Sequence, residues 1–99
     1  MMLRYKISER EIILKTLEYL AFTEQKSYYY PYCIRKIIIK ICFGNNYNYI
    51  NSIPASTILT LKGILNFLGI KTEKKRYLKA WVSLEDQQRL RNFLKLVVR

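Results

Sequence analysis

Histidine is absent from this sequence of 99 residues, and carboxylates are few. Without histidine, the usual general base of enzymes and the commonest metal ligand are both missing. The seven Asp and Glu residues lie mostly in the first turns of predicted helices or on solvated helix faces. No glycine-rich phosphate loop is present, and nothing marks a tyrosine or cysteine as an activated nucleophile. We therefore expect neither an enzyme, nor a metal site, nor a cofactor.

Cysteine is also scarce, with Cys33 and Cys42 as the only two. Their spacing of nine residues corresponds to about 13–14 Å along a helix and to more along a strand. The two thiols therefore cannot pair within one such element. We predict that both are small core residues in a reducing compartment.

Long hydrophobic runs are missing as well. The longest, Ile37 to Phe43, is interrupted by Lys40 and is far shorter than the roughly 20 residues that cross a bilayer. Residues 1–12 carry charges every few positions and lack the apolar core of a signal peptide. Because 51% of the residues are hydrophobic, we expect one folded domain over residues 1–99, intracellular and without a membrane partner.

Negative charge is scarcest in the middle of the chain. The sequence has 18 Lys and Arg against 7 Asp and Glu, which gives a net charge of +11. Residues 1–25 carry four charges of each sign, whereas residues 26–82 carry ten cations and Glu73 alone. Like charges repel one another unless an anionic partner relieves them, so this segment predicts a polyanion-binding surface. Solubility alone is the alternative explanation.

Hydrophobic spacing and capping signals predict four helices. Ser8 followed by Glu11 is a capping box that begins helix 1. A polar turn region over residues 44–52 separates helix 2 from helix 3, and Ser52 is expected to cap helix 3. The acidic pair Glu85 and Asp86 suits the first turn of helix 4. The predicted ranges are about 9–23, 33–43, 54–68 and 84–98.

Alternation of apolar and polar residues predicts strands at two places. Residues 3–7 form a short first strand, and residues 70–82 form a hairpin whose loop contains Glu73 to Arg76. The expected fold class is therefore α+β and mainly helical, with three helices, a two-stranded basic hairpin and a C-terminal helix.

From helix 2 onward, this order resembles the winged helix-turn-helix family of DNA-binding proteins. The resemblance covers about residues 32–83 and is carried by the segment IPASTILTLKGILNFLGI (residues 53–70), followed by residues 71–82. Its features are a small polar start at Ala55 to Thr57, apolar positions along the helix, and a Leu-Gly-Ile exit into a basic wing. The connection over residues 44–52 departs from the pattern, because it is longer than the usual turn.

The resemblance implies that helix 3 enters the major groove of double-stranded DNA, with its amino-terminal half nearest the bases. Ser56 and Thr57 would donate to phosphates or bases, while Thr60 and Asn66 would reach base edges. Cations on helix 2, on the flank of helix 3 and at the wing tip would bind phosphates. The expected nucleic-acid-binding residues are Arg35, Lys36, Lys40, Ser56, Thr57, Thr60, Lys62, Asn66, Lys74, Lys75 and Arg76. For each one alone, a capping, solvating or solubilising role is the alternative.

Other hypotheses remain open. One is a ribbon-helix-helix dimer, which would leave residues 45–99 unexplained. Another is RNA binding, although the chain lacks the aromatic-glycine signature of an RNA-recognition sheet. A protein-interaction or structural module of its own fold would use the Tyr-rich segment at residues 28–32 and Trp81 as a binding patch. The apolar stripe of helix 4, with Phe93, Leu94 and Val97, could form a homodimer or pack against helix 1 within one chain.

Composition adds a hint of source. Isoleucine, lysine, tyrosine and asparagine are abundant, whereas valine and alanine are scarce. This composition resembles that of small proteins of viruses that infect thermoacidophilic archaea, several of which are winged-helix or ribbon-helix-helix domains. A viral source would place the protein in the host cytoplasm. The winged helix-turn-helix resemblance implies a small transcriptional regulator or genome-associated protein that binds double-stranded DNA.

Overall fold

The structure is a computed structural model and describes residues 7–23 and 30–97. Each predicted helix and the hairpin lie within one residue of their predicted bounds, which confirms the α+β, mainly helical fold class. The strand predicted over residues 3–7 falls outside the described ranges, apart from Ile7. In chain order, the elements are α1 (Glu9–Phe22), β1 (Tyr32–Cys33), α2 (Ile34–Cys42), a 3₁₀ helix (Tyr47–Ser52), α3 (Ala55–Phe67), β2 (Lys71–Lys74), β3 (Leu78–Trp81) and α4 (Leu84–Val97).

The start of α1 follows the predicted capping signal. Ser8 Oγ accepts a hydrogen bond from the Glu11 backbone N–H at 3.1 Å, which satisfies one of the free donors of the first turn. Ile12 begins the buried stripe of this helix, and Ile7 before the cap is half-buried against the same core. The local sequence therefore explains where α1 begins and which face it buries.

Side chains of α4 donate hydrogen bonds to the carbonyl groups at the carboxyl end of α1. The side-chain amide of Gln87 donates to the carbonyl oxygens of Leu20 at 3.0 Å and Thr23 at 2.7 Å. Arg91 Nε donates to the carbonyl oxygen of Ala21 at 3.0 Å. The last carbonyl groups of a helix lack partners within the helix, so these bonds join α1 and α4 through groups that would otherwise need water.

A reciprocal capping box begins α4. The Ser83 backbone N–H donates to Asp86 Oδ2 at 2.9 Å, and the Asp86 backbone N–H donates to Ser83 Oγ at 3.1 Å. Arg89 then forms an ion pair with Asp86 one turn later. The acidic first turn that the sequence predicts thus acts through hydrogen bonds as well as through the helix dipole.

The apolar stripe of α4 is used within the chain. Leu90 is fully buried and Leu94 is 6% exposed, because α4 packs along α1. Phe93 is partly buried against the same core, and Val97 remains exposed. Packing against helix 1 within one chain, one of the two uses expected for this stripe, therefore occurs, and the homodimer through this helix stays a prediction.

The three strands form one antiparallel sheet in the order β1-β3-β2. Sequence reasoning missed β1, which is only two residues long and follows directly after Pro31. Tyr32 pairs with Ala80 and Cys33 pairs with Lys79, so β1 joins the hairpin to the start of α2. Below the sheet lies one core to which all four α-helices and β3 contribute, with Leu17, Leu20, Ile34, Ile38, Ile39, Ile58, Leu61, Leu65, Leu78 and Leu90 among its fully buried side chains.

The connection between α2 and α3 is ordered and includes the 3₁₀ helix. Gly44 and Asn45 have positive φ angles of 58° and 65° and end α2, which is the conformation that glycine and asparagine tolerate best. Asn46 Oδ1 then accepts from the Asn48 backbone N–H at 3.1 Å and caps the 3₁₀ helix. Ser52 was expected to cap helix 3, but it ends the 3₁₀ helix instead, and Pro54 is the residue before α3.

Candidate nucleic-acid interface

The outer face of α3 carries no charged side chain. Its buried face consists of Thr57, Ile58, Leu61 and Leu65. Lys62 is half-buried on the flank of the helix. After Ala55, the exposed residues recur three or four positions apart and so share one face; they are Ser56, Leu59, Thr60, Gly63, Asn66 and Phe67. We call these six residues the α3 face.

The amino terminus of α3 is occupied by a carboxylate from α1. Ser56 Oγ donates to Glu9 Oε2 at 3.2 Å, and Thr57 Oγ1 donates to the same oxygen at 2.9 Å. A carboxylate suits this end of a helix because the dipole and the free N–H groups make it positive. Glu9 therefore accepts the hydrogen bonds that the resemblance assigns to phosphates or bases of DNA.

This contact corrects the expectation for Thr57. Its side chain is fully buried and its hydroxyl donates to Glu9, so it does not face a ligand on the surface. Ser56 is exposed, but its hydroxyl proton is used in the same way. The small polar start of helix 3 therefore packs against α1, a contact between residues 47 and 48 positions apart that helical spacing does not reveal.

Asn66 joins α3 to the hairpin. Its Oδ1 accepts a hydrogen bond from Thr72 Oγ1 of β2 at 2.8 Å. This bond fixes the orientation of the amide, and an amide oxygen has a second lone pair with which it can accept again. Thr60 is exposed, and its hydroxyl donates to the Ser56 carbonyl oxygen at 2.9 Å within the helix. Both predicted base-contacting residues thus lie on the α3 face.

The hairpin presents its cations to solvent. Lys74, Lys75 and Arg76 are all exposed, although Lys74, like Glu73, belongs to β2 and not to the loop predicted there. Lys75 Nζ lies 4.0 Å from a Glu73 carboxylate oxygen, and both side chains are well exposed, so this ion pair contributes little. The Arg76 guanidinium lies 5.6 Å from the centre of the Tyr77 ring. Three cations therefore remain close together beside a single carboxylate.

The strand register places a further cation–aromatic pair on the outer face of the sheet. Lys71 pairs with Trp81 across the ladder, and Lys71 Nζ lies 4.8 Å from the centre of the Trp81 ring. Lys79 also points outward, opposite Glu73. Trp81, which the protein-interaction hypothesis assigns to a binding patch, is half-buried and partly covered by Lys71.

The predicted cations of α2 have different surroundings. An Arg35 guanidinium nitrogen donates to the Ile50 carbonyl oxygen at 3.1 Å, so this side chain is bonded to the connection before α3. Lys40 Nζ lies 3.3 Å from the Tyr19 hydroxyl and 5.3 Å from the centre of its ring, and it therefore points toward α1. Lys36 is exposed. The Asn66–Thr72 bond connects the α3 face with the hairpin, whereas Arg35 and Lys40 are held by other partners.

Sequence reasoning missed several residues of this surface. Leu59 and Phe67 are 57% and 82% exposed. Both lie outside the predicted buried stripe of helix 3, and this position in the sequence was the signal that could have predicted their exposure. Thr72 and Glu9 are bonded to α3 by tertiary contacts, for which the sequence contains no local signal. Lys71 belongs to the same basic segment but was not singled out.

The described residues offer neither a metal site nor a membrane-spanning helix. Within residues 7–23 and 30–97, no three His, Cys, Asp or Glu side chains lie close enough together to hold a metal ion. None of the helices in these ranges is both long and apolar enough to span a bilayer. The candidate interface therefore consists of the α3 face, Lys62 on its flank and the cations of the hairpin.

Comparisons of the chain with protein-family models, with curated proteins and with solved structures find no match.

Proposed function

We propose that this chain binds double-stranded DNA through the α3 face and the hairpin, as a small transcriptional regulator or genome-associated protein, and that it acts by binding rather than by catalysis. The observation that supports this proposal is the distribution of charge over the fold. α1 and α4 pack together and hold five cations and five carboxylates, whereas residues 30–82 hold nine cations and Glu73. One carboxylate cannot neutralise nine cations, so this half of the fold favours an anionic partner.

The arrangement of the elements supports a winged helix-turn-helix mode of binding. The order α2, α3 and hairpin agrees with the family that the sequence resembles. β1 ties the hairpin to the start of α2, and the Asn66–Thr72 bond ties it to the end of α3. Helix and hairpin are therefore held in one relative position, which a protein needs when it contacts one duplex at two places.

Each part would have a separate role on DNA. The major groove is wide enough to admit an α-helix, and the uncharged α3 face suits its floor of base edges. Lys74, Lys75 and Arg76 at the hairpin tip would bind phosphates, which position a protein without reading sequence. Lys62 on the flank of α3 would reach a phosphate of the groove wall. The negative charge of Glu9 would repel a phosphate at the amino end of α3. We therefore place the strongest DNA contacts at the other end of the helix, toward the hairpin.

Fluorescence anisotropy of a labelled AT-rich duplex, measured across a salt series, tests this proposal. The logarithm of the binding constant should fall linearly with the logarithm of salt concentration, by about 0.9 for each phosphate contact. The triple variant Lys74→Ala, Lys75→Ala, Arg76→Ala should lose up to about 2.7 of that slope. A duplex RNA of the same sequence should bind more weakly than the DNA.

A matched control separates a defined interface from general attraction. The triple variant Arg10→Ala, Lys15→Ala, Lys95→Ala removes the same charge from the exposed surfaces of α1 and α4. It should keep most of the salt slope. Equal losses in the two triple variants would contradict a binding site on the hairpin, and absence of binding at low salt would contradict DNA binding altogether.

A second candidate function is a protein-interaction or structural module. The exposed side chains of Leu59 and Phe67 favour it, because large apolar groups on one face often mark protein contacts. Under this hypothesis, the protein would not bind the DNA duplex, or would bind it with an affinity that does not change with salt concentration. The same salt series therefore discriminates the two functions.

A further inference from the structure

The α3 face combines exposed apolar side chains with an unexplained glycine. Leu59, Gly63 and Phe67 are four residues apart and so follow one line along the helix. A Cβ atom at Gly63 would meet nothing within 4 Å, so packing within the protein does not require glycine there. Glycine in the middle of a helix costs about 0.5–1 kcal/mol relative to alanine. The backbone of α3 is therefore open to solvent between Leu59 and Phe67, and a partner could approach it closely there.

The surroundings of this line identify the chemistry of the partner. The α3 face itself is uncharged, Lys62 lies on its flank, and the Asn66–Thr72 bond places the basic hairpin at its end. A partner that fits must therefore present anions at its rim and apolar groups between them. A DNA major groove has this form, with phosphates along both walls and the C5-methyl groups of thymine on its floor. An apolar protein surface would leave the hairpin cations without counter-charges.

We infer that α3 recognises A·T base pairs through the methyl group of thymine. Leu59 and Phe67 contact these methyl groups, Gly63 lets the base edges come close to the helix backbone, and Asn66 pairs with an adenine. The inference rests on the proposed DNA-binding function and adds to it the class of sequence that is read. Leu59 and Phe67 lie eight residues apart, which is about 12 Å along the helix or roughly three to four base-pair steps, so both contacts fit within one short site.

The test compares two duplexes that differ only in methyl groups. One is a labelled AT-rich duplex, and the other has uracil in place of every thymine, so that base pairing and phosphates are unchanged. Burial of one methyl group changes affinity by about fourfold, so the wild-type protein should bind the thymine duplex about fifteenfold more tightly if two methyl groups are buried.

Substitutions on the α3 face should remove this preference. Leu59→Ala and Phe67→Ala should each reduce the thymine-to-uracil ratio by about fourfold and leave the affinity for the uracil duplex almost unchanged. Both side chains are exposed, so the variants should fold. Leu84→Ala is the matched control, because Leu84 is 77% exposed on α4, and it should keep the wild-type ratio.

Gly63 provides an independent measurement. Gly63→Ala should raise the melting temperature, because alanine is the better helix former and its Cβ meets no neighbour. The same variant should weaken binding to the thymine duplex. A variant that is more stable and binds equally well would contradict the close approach assigned to Gly63.

The outcomes separate this inference from the proposed function. Equal affinity for both duplexes, with the salt dependence intact, would overturn thymine recognition and leave DNA binding standing. Equal weakening of both duplexes by Leu59→Ala would also overturn it, because the side chain would then contact something other than a methyl group. Absence of binding to either duplex at low salt would overturn both proposals.

Discussion

The α1–α4 pair and the α3–hairpin region use their polar groups in different ways. In the first region, Gln87 bonds two carbonyl oxygens of α1, and Asp86 bonds both Ser83 and Arg89. In the second region, Lys74, Lys75 and Arg76 face solvent beside one carboxylate. The polar side chains of the α1–α4 pair thus stabilise the fold, whereas most cations of the α3–hairpin region are available to a partner.

The two regions meet at the amino end of α3. Glu9 belongs to α1, yet its carboxylate accepts hydrogen bonds from Ser56 and Thr57 of α3. This contact stabilises the packing of the two helices and at the same time adds negative charge at one end of the candidate interface. A group that serves the fold therefore also limits where an anion can bind.

Truncation of the α4 stripe should have the largest effect on stability. Leu90 is fully buried, so Leu90→Ala should lower the free energy of unfolding by about 2–5 kcal/mol through the cavity it leaves. Leu96→Ala removes the same atoms from an exposed position of the same helix and should change it by less than about 0.5 kcal/mol. Chemical denaturation measures both values. Similar losses in the two variants would contradict the packing of α4 on α1.

Loss of the Gln87 side chain should have the next largest effect. Gln87→Ala leaves the carbonyl groups of Leu20 and Thr23 without their donor and should cost about 1–3 kcal/mol of unfolding free energy. Gln88 is exposed and donates to Asn92 on the surface of α4, so Gln88→Ala is the control and should cost much less. Denaturation of the two variants side by side would reveal whether α4 completes α1 as described.

Neutralisation of Glu9 should affect binding more than folding. Glu9→Gln keeps an acceptor for Ser56 and Thr57 but removes the negative charge from the amino end of α3. Affinity for a DNA duplex should rise a few-fold at low salt, and the gain should disappear at high salt because the interaction is screened. Glu85→Gln removes the same charge from α4 and should give a smaller gain. Equal gains would show that only net charge matters.

The two cysteines should differ in reactivity, which is the mildest of these tests. Cys42, the last residue of α2, is buried in the core, and burial raises the pKa of its thiol. The Lys15 charge lowers this pKa and the Glu11 charge raises it. Cys33 lies half-exposed in β1. Because the thiolate is the reactive form, iodoacetamide should modify Cys33 first, and Cys42 only at higher pH or after unfolding. Equal rates in the single variants Cys33→Ser and Cys42→Ser would contradict the burial of Cys42.

The raised pKa of Cys42 also has a consequence for stability. The folded state holds this proton more tightly than the unfolded chain does. Stability should therefore be unaffected below the unfolded-state pKa and should fall as pH rises through the folded-state pKa. Cys42→Ser should remove this part of the alkaline loss, as measured by denaturation at several pH values.

Short-range signals account for much of the fold. Ser8, the spacing of apolar residues and the acidic turn at Asp86 predicted the helices, and period-two alternation predicted the hairpin. Each signal acts over one or two turns of chain, where covalent geometry already holds the residues close together. The two-residue strand β1 was missed because such a segment has no periodicity and forms only when β3 lies beside it.

In the candidate site, too, short-range patterns predicted some residues correctly, and tertiary contacts decided the others. Helical spacing placed Thr60, Gly63 and Asn66 on one exposed face. The basic segment of the hairpin is exposed, but Glu73 and Lys74, which were predicted in its loop, pair with β3 as part of β2. The resemblance to the winged helix-turn-helix family assigned Thr57 to the surface as part of the small polar start of helix 3, but the rotation of α3 against α1 buries it. A shift of one residue changes the direction of a side chain by about 100°, so small errors in the buried face decide such assignments.

By itself, the sequence determined the bounds of the helices, the position of the hairpin and the concentration of positive charge in the middle of the chain. Only the tertiary structure decided that Glu9 accepts hydrogen bonds from the side chains of Ser56 and Thr57, and that Thr72 bonds to Asn66. It also decided that Gln87 bonds to the last carbonyl groups of α1 and that β1 joins the hairpin to α2. The physical reason is the distance along the chain over which each interaction acts. Caps, periodicity and charge content are properties of neighbouring residues, whereas Glu9 and Thr57 meet across 48 positions and do so only after the core has set the angle between their helices.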